Sequence, residues 1–102
     1  MFIDTHCHLQ LKEFDEDRLS VIGNAKKADV KKMIVPGVDE CSSQLALELA
    51  KKHAGTIYAS IGFHPYEASH SPNLSYIQSI LTHTSSPAPY NSLIAIGEIG
   101  LD

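Results

Sequence analysis

Four short runs of branched apolar residues recur along the chain at intervals of roughly 30 residues, and each of the first three is followed by a run with helical spacing. That alternation restricts the fold more than any other feature. Successive strands joined through helices make right-handed crossovers and lie parallel in one sheet. The first nine residues, MFIDTHCHL, place Phe2, Asp4, His6 and His8 on one face and Ile3, Thr5, Cys7 and Leu9 on the other, which predicts a strand from almost the first residue. Asp15 to Ala28 carries Leu19, Val21, Ile22 and Ala25 behind an acidic Asp15-Glu16-Asp17 start, which predicts a helix. A buried strand is expected over Lys32–Val38, a helix over Ser42–His53 stopped by Gly55, and a third strand over Thr56–Phe63. Tyr66 to Asn73 reads as a loop, and Leu74 to His83 as a helix capped by Asn73 or Ser75. The Thr84–Pro89 segment breaks all periodicity, and Ser92–Ile99 forms the fourth strand.

Two architectures satisfy this order, an open doubly wound sheet and part of a (β/α)8 barrel. No GxGxxG or GxxxxGK turn follows any strand, which weakens the nucleotide-binding doubly wound reading. Barrel enzymes carry their functional side chains at the carboxyl ends of strands, and His6, His8, His64 and Glu98 all fall at such ends. The expectation is an α/β, TIM-barrel-like (β/α)8 scaffold, of which the chain covers about the first four strands and three helices. A complete barrel needs about 250 residues, so residues 1–102 are expected to form the incomplete N-terminal half of one domain.

Charge narrows the partners. Eight basic against 12 acidic residues give a net charge of −4, without the basic footprint of a non-specific nucleic-acid binder. A nucleic-acid substrate would therefore need metal ions as its positive charge. No apolar run approaches the roughly 18 residues of a membrane span, and the N-terminus lacks the layout of a secretory signal, so no membrane partner and a cytoplasmic setting are expected. Cys7 and Cys41 are too few for a disulfide framework and are expected to be reduced and without chemistry.

His6 and His8, two apart on a strand, would share a face about 7 Å apart at Cα, so that both imidazoles reach one divalent ion. The bland alternative is two polar residues at a strand end. Asp4 on the same face could orient a histidine or serve a buried hydrogen bond. Glu98, between Gly97 and Ile99, interrupts an apolar strand, where an unpaired carboxylate is costly. A metal-ligand or base role, or a salt bridge from outside the segment, would each remove that cost. His64, ended by Pro65, could bind a substrate phosphate, move a proton or be a loop histidine. His53, His70 and His83 read as helix-end or loop residues, and Lys26-Lys27 and Lys31-Lys32 as solvated faces.

The segments FIDTHCHL, GFHPYE and AIGEIGLD, in this order, resemble the three signatures of the N-terminal half of the TatD-type deoxyribonuclease family, and the likeness spans the chain. The resemblance implies a barrel with a divalent-metal centre, two ions of Zn, Mg or Mn in the full-length protein, and hydrolysis of DNA phosphodiester bonds. It places His6 and His8 as ligands of one metal, Glu98 as a catalytic glutamate ligating and shared between ions, and His64 as the catalytic, substrate-binding histidine of the HP motif. The chain departs from many members at Gln10, where they carry Asp, and at Tyr66, where they carry a second His. The family's further His ligands and catalytic Asp come from later strands, so the 102-residue chain alone is expected to be inactive. Carbonyl hydrolysis on the same ligands, and a non-catalytic half-barrel association module, are the alternatives. Open edges on strands one and four predict self-association. Because those strands are not neighbours, little is expected to fix the separation of the ligands they carry.

Overall fold

In a computed structural model, residues 1–68, 73–83 and 92–100 are described. The elements run β1 (Phe2–Asp4), a 3-10 turn (Lys12–Phe14), α1 (Arg18–Lys27), β2 (Val30–Pro36), α2 (Glu40–Lys52), β3 (Ile57–Ile61), the single-turn α3 (Pro65–Ala68), α4 (Leu74–His83) and β4 (Leu93–Ile96). All four strands are parallel and their spatial order is β1-β2-β3-β4. A doubly wound sheet reverses its strand order at a switch point, whereas a barrel lays strands down in sequence. The observed order is that of the barrel, as expected from the sequence. No helix among the described residues is long and apolar enough to cross a membrane.

Pairing of β2 with β3 sets Met33 beside Ile57 and Val35 beside Ala59. These four, with Ile61, are buried against Ile22 of α1 and Ala46, Leu47, Leu49 and Ala50 of α2, which together with Leu9 form the core. Helix α2 starts where it does because Asp39 and Ser42 form a capping box: Asp39 Oδ1 accepts from the Ser42 N–H at 2.7 Å, and Ser42 Oγ accepts from the Asp39 N–H at 3.1 Å. Such a cap stabilises a helix by about 1 kcal/mol. Gly55, at φ +85°, turns the chain from α2 into β3.

Several boundaries differ from the sequence expectation. β1 ends at Asp4 and not at Leu9, because Asp4 Oδ1 accepts the His6 N–H at 3.0 Å and bends the chain off the strand. Asp4 thus shapes backbone and touches neither imidazole ring by a hydrogen bond. α1 begins at Arg18, since Asp15 is drawn into an ion pair with Arg18 at 2.7 Å and residues 15–17 turn. β2 spans Val30–Pro36, β3 stops at Ile61, and β4 stops at Ile96, two residues before Glu98. Pro65, with its preset φ, opens the helical turn α3 inside what reads as a loop, which makes four α-helices among the described residues in place of the expected three. Asn73 caps α4, accepting the Tyr76 N–H at 3.3 Å. Lys32 is not simply solvated: its Nζ donates to the Tyr58 hydroxyl at 2.9 Å and to the Gly55 carbonyl at 3.2 Å. His70 and the Thr84–Pro89 segment lie outside the described residues.

Candidate metal centre

In the turn after β1 the two histidine rings meet, with His6 Nε2 and His8 Nε2 3.1 Å apart. Glu98 arrives from the opposite edge of the sheet. After β4 the chain crosses back over the carboxyl ends of β3 and β2: the Gly97 N–H donates to the Ile61 carbonyl at 2.8 Å, and the Glu98 N–H donates to the Gly37 carbonyl at 2.9 Å. Ser60 Oγ donates to the Gly97 carbonyl at 3.2 Å. The separation between ligands from strands one and four, expected to be unfixed, is therefore bridged by three hydrogen bonds.

Passage of this tail depends on Gly62. A Cβ there would stand 2.7 Å from the Glu98 carbonyl oxygen and 2.8 Å from the Gly97 carbonyl carbon. Gly37 is similarly closed in by Ser43, whose Cα would lie 2.6 Å from an added Cβ. Both glycines stand just past strand ends, the only signal in the sequence that could have pointed to them.

Glu98 Oε2 lies 3.3 Å from His8 Nε2 and 3.5 Å from His6 Nε2, so these three atoms form a triangle with edges of 3.1, 3.3 and 3.5 Å. An ion holding tetrahedral ligands at about 2.0–2.1 Å needs donors separated by about 3.3 Å. The donor chemistry agrees. His8 Nδ1 stands 3.2 Å from the Pro36 carbonyl, which can only accept, so Nδ1 carries the proton and the Nε2 lone pair faces the triangle. A lone pair against a carboxylate oxygen leaves a place that a cation, a metal ion or a proton, would fill. His6, His8 and Glu98 thus form the group among the described residues that could hold a metal ion.

His64 joins the same mouth in a different role. Its N–H donates to the Val38 carbonyl at 2.8 Å, which seats it between β3 and α3. Its Nδ1 accepts the Tyr66 N–H at 3.2 Å, so in the neutral ring the proton sits on Nε2, which faces Glu98 Oε1 at 3.7 Å. His64 therefore presents a donor where His8 presents a lone pair. With His8, Val38, Tyr66, Glu67 and Glu98 it lines a cleft of about 330 Å³. Of the other histidines, His53 closes α2, as its position suggested. Both cysteines are free; burial, and after it the charge of Asp4, push the Cys7 thiol up to about 12.

Sequential parallel strands, with helices packed on the sheet and His6, His8, His64 and Glu98 gathered at its carboxyl mouth, define a TIM-barrel-type α/β scaffold bearing a candidate metal centre. The chain belongs to the TatD related DNase family, whose model matches residues 3–102. It is 35% identical to the metal-dependent hydrolase YabD of Bacillus subtilis, over 100% of this chain and 38% of that protein. It is 32% identical to the 3'-5' ssDNA/RNA exonuclease TatD of Erwinia amylovora, over 97% of this chain and 36% of that one. The crystal structure of the TatD homologue YjjV from Escherichia coli superposes with a TM-score of 0.85 at 33% identity, over 99% of this chain and 38% of that one. The chain thus spans well under half the length of these relatives.

Proposed function

We propose that residues 1–102 form the N-terminal half of a single barrel domain, and that a protein of the relatives' length built on it hydrolyses DNA phosphodiester bonds with divalent metal. His6, His8 and Glu98 hold the ion, and His64 binds the substrate phosphate. The observation that supports this most is the triangle of Nε2, Nε2 and Oε2 atoms with metal-ligand spacing, in which the His8 lone pair is aimed by the Pro36 carbonyl. A divalent ion there supplies Lewis acidity, neutralising phosphoryl charge and making water a usable nucleophile near neutral pH.

The chain's own residues supply the rest. His64 Nε2–H is a hydrogen-bond donor toward a phosphate oxygen entering the cleft, and Glu98 Oε1, 3.7 Å away, is an acceptor beside it that could serve a second ion. With a net charge of −4, the chain does not attract DNA by its overall charge, so the metal and His64 supply its attraction for a phosphodiester. The 102-residue chain by itself binds metal weakly and does not hydrolyse DNA, because the three donors His6, His8 and Glu98 leave an ion's shell incomplete.

Calorimetric titration of Zn²⁺ or Mn²⁺ into the chain and its His6→Ala and Glu98→Gln variants tests the ligands. Binding by the wild type that weakens at least tenfold in both variants is expected; equal binding by all three refutes the assignment. For the substrate, a protein of the relatives' length is assayed on single-stranded DNA against a lactone panel. Turnover of lactones without DNA cleavage would make the centre a carbonyl hydrolase.

A further inference from the structure

We propose that Ser42 is a positioning residue for the metal centre, seating the backbone of both Glu98 and His64 through two consecutive peptide groups; the inference rests on the reading of Glu98 as a metal ligand and of His64 as the phosphate-binding histidine. Ser42 Oγ accepts the Val38 N–H at 2.8 Å and the Asp39 N–H at 3.1 Å. The carbonyl ends of those same two peptides carry the site: the Gly37 carbonyl accepts the Glu98 N–H at 2.9 Å, and the Val38 carbonyl accepts the His64 N–H at 2.8 Å. A peptide group is planar and turns as one body, so a bond that holds its N–H also sets the direction of its C=O. Neither the Val38 nor the Asp39 N–H has another acceptor among the described residues. Ser43 repeats the arrangement one residue later. Its Oγ accepts the Gly62 N–H at 3.2 Å, and the carbonyl of that peptide, on Ile61, accepts the Gly97 N–H at 2.8 Å.

Capping α2 does not by itself account for this hydroxyl. The usual third residue of a capping box is Glu or Gln, which reaches back to the N-cap N–H alone. Ser42 is 6% exposed, and its short side chain gives one lone pair to the Asp39 N–H and the other to the Val38 N–H, which lies outside the box. The Val38 bond is the shorter of the two. Without the hydroxyl, Asp39 Oδ1 could still cap the helix by accepting the Ser42 N–H, a bond of 2.7 Å that needs only backbone from residue 42. Both peptides, however, would be released at their N–H ends. The Gly37 and Val38 carbonyls could then turn, and Glu98 Oε1 and His64 Nε2, now 3.7 Å apart, would lose their fixed relation at the mouth.

Ser42→Ala and Asp39→Ala separate positioning from capping, since each breaks the capping box and only the first releases the Val38 and Asp39 N–H groups. Both variants are expected to melt below wild type. Ser42→Ala should in addition lose about tenfold in Zn²⁺ affinity, while Asp39→Ala stays within about twofold of wild type. In the metal-free chain, the Glu98 and His64 amides should exchange with solvent about tenfold faster in Ser42→Ala than in Asp39→Ala, with the Met33 amide, bonded to the Thr56 carbonyl, alike in both. Equal Zn²⁺ affinity in the two variants, or Glu98 and His64 amides that exchange alike in them, overturns the proposal. Ser42→Cys, close in size but a weak acceptor, gives the same comparison should the alanine variant not fold. A wild-type chain whose Zn²⁺ binding ignores Glu98→Gln would refute Glu98 as a ligand. Amide exchange, which needs no metal, would then still decide whether Ser42 seats the backbone of Glu98 and His64.

Discussion

Replacing Gly62 with alanine should open the donor triangle without altering any of its members. The new Cβ would meet the Glu98 carbonyl oxygen at 2.7 Å, the Gly97 carbonyl carbon at 2.8 Å and the Gly97 carbonyl oxygen at 2.9 Å. All three are backbone atoms and cannot swing aside as a side-chain tip would. Heavy atoms rest at about 3.5–4.0 Å, so the tail must retreat by roughly 0.6–1.3 Å. A metal shell tolerates about 0.2 Å. The retreat therefore takes Glu98 Oε2 out of range, and a loss of about 10–100-fold in Zn²⁺ affinity follows, or about 1.4–2.8 kcal/mol. Overpacking of this kind costs about 1–3 kcal/mol of folding stability, read separately from a melt in chelator. Gly23, in α1, has no atom within 4 Å of an added Cβ. Gly23→Ala should gain about 0.5–1 kcal/mol from helix propensity and leave Zn²⁺ affinity unchanged. A folded Gly62→Ala chain that bound Zn²⁺ as tightly as wild type would refute the argument that this contact seats Glu98.

The two thiols should separate on labelling at pH 8: Cys41, which is exposed, reacts rapidly with Ellman's reagent, whereas Cys7 reacts only on denaturation. Because the folded Cys7 thiol is pushed from 9.0 up to about 12, the unfolded chain loses that proton first as pH rises. Stability should thus be indifferent to Cys7 below about pH 8 and fall between pH 9 and 12. Urea midpoints of wild type and Cys7→Ala across that range check the sign, and parallel curves would contradict it. The outer strands β1 and β4 expose Phe2, Ile3, Ile94 and Ile96 at 66%, 51%, 49% and 49%. Sedimentation at rising micromolar concentrations should accordingly show self-association that Ile94→Lys and Ile96→Lys reduce, and a monomer at every concentration would count against it.

Much of this was legible from residue order. Strand and helix periods reflect hydrogen bonds and side-chain directions among near neighbours, so the βα alternation, the parallel sheet and the α4 limits of Leu74 and His83 follow from local pattern. So do the residue types at the strand ends. Local competition blurred the edges: the Asp4 side chain took the His6 N–H and ended β1 early, and the Arg18 pair with Asp15 delayed α1.

The convergence of the site was decided only by the tertiary structure. His8 and Glu98 lie at opposite ends of the chain and on opposite edges of the sheet, yet stand 3.3 Å apart. That distance depends on where the tail after β4 finds carbonyls to bond, at Ile61 and Gly37, and on the missing Cβ of Gly62 beneath it. The tautomer of His8 is a tertiary outcome too, whereas that of His64 is set within its own turn. A carbonyl of Pro36 makes His8 present a lone pair, and the Tyr66 N–H makes His64 present a proton. Sequence supplied two imidazoles of the same kind; a carbonyl from the end of β2 and an N–H two residues along the chain gave them opposite chemistry, because a ring's tautomer follows whichever donor or acceptor is set against its other nitrogen.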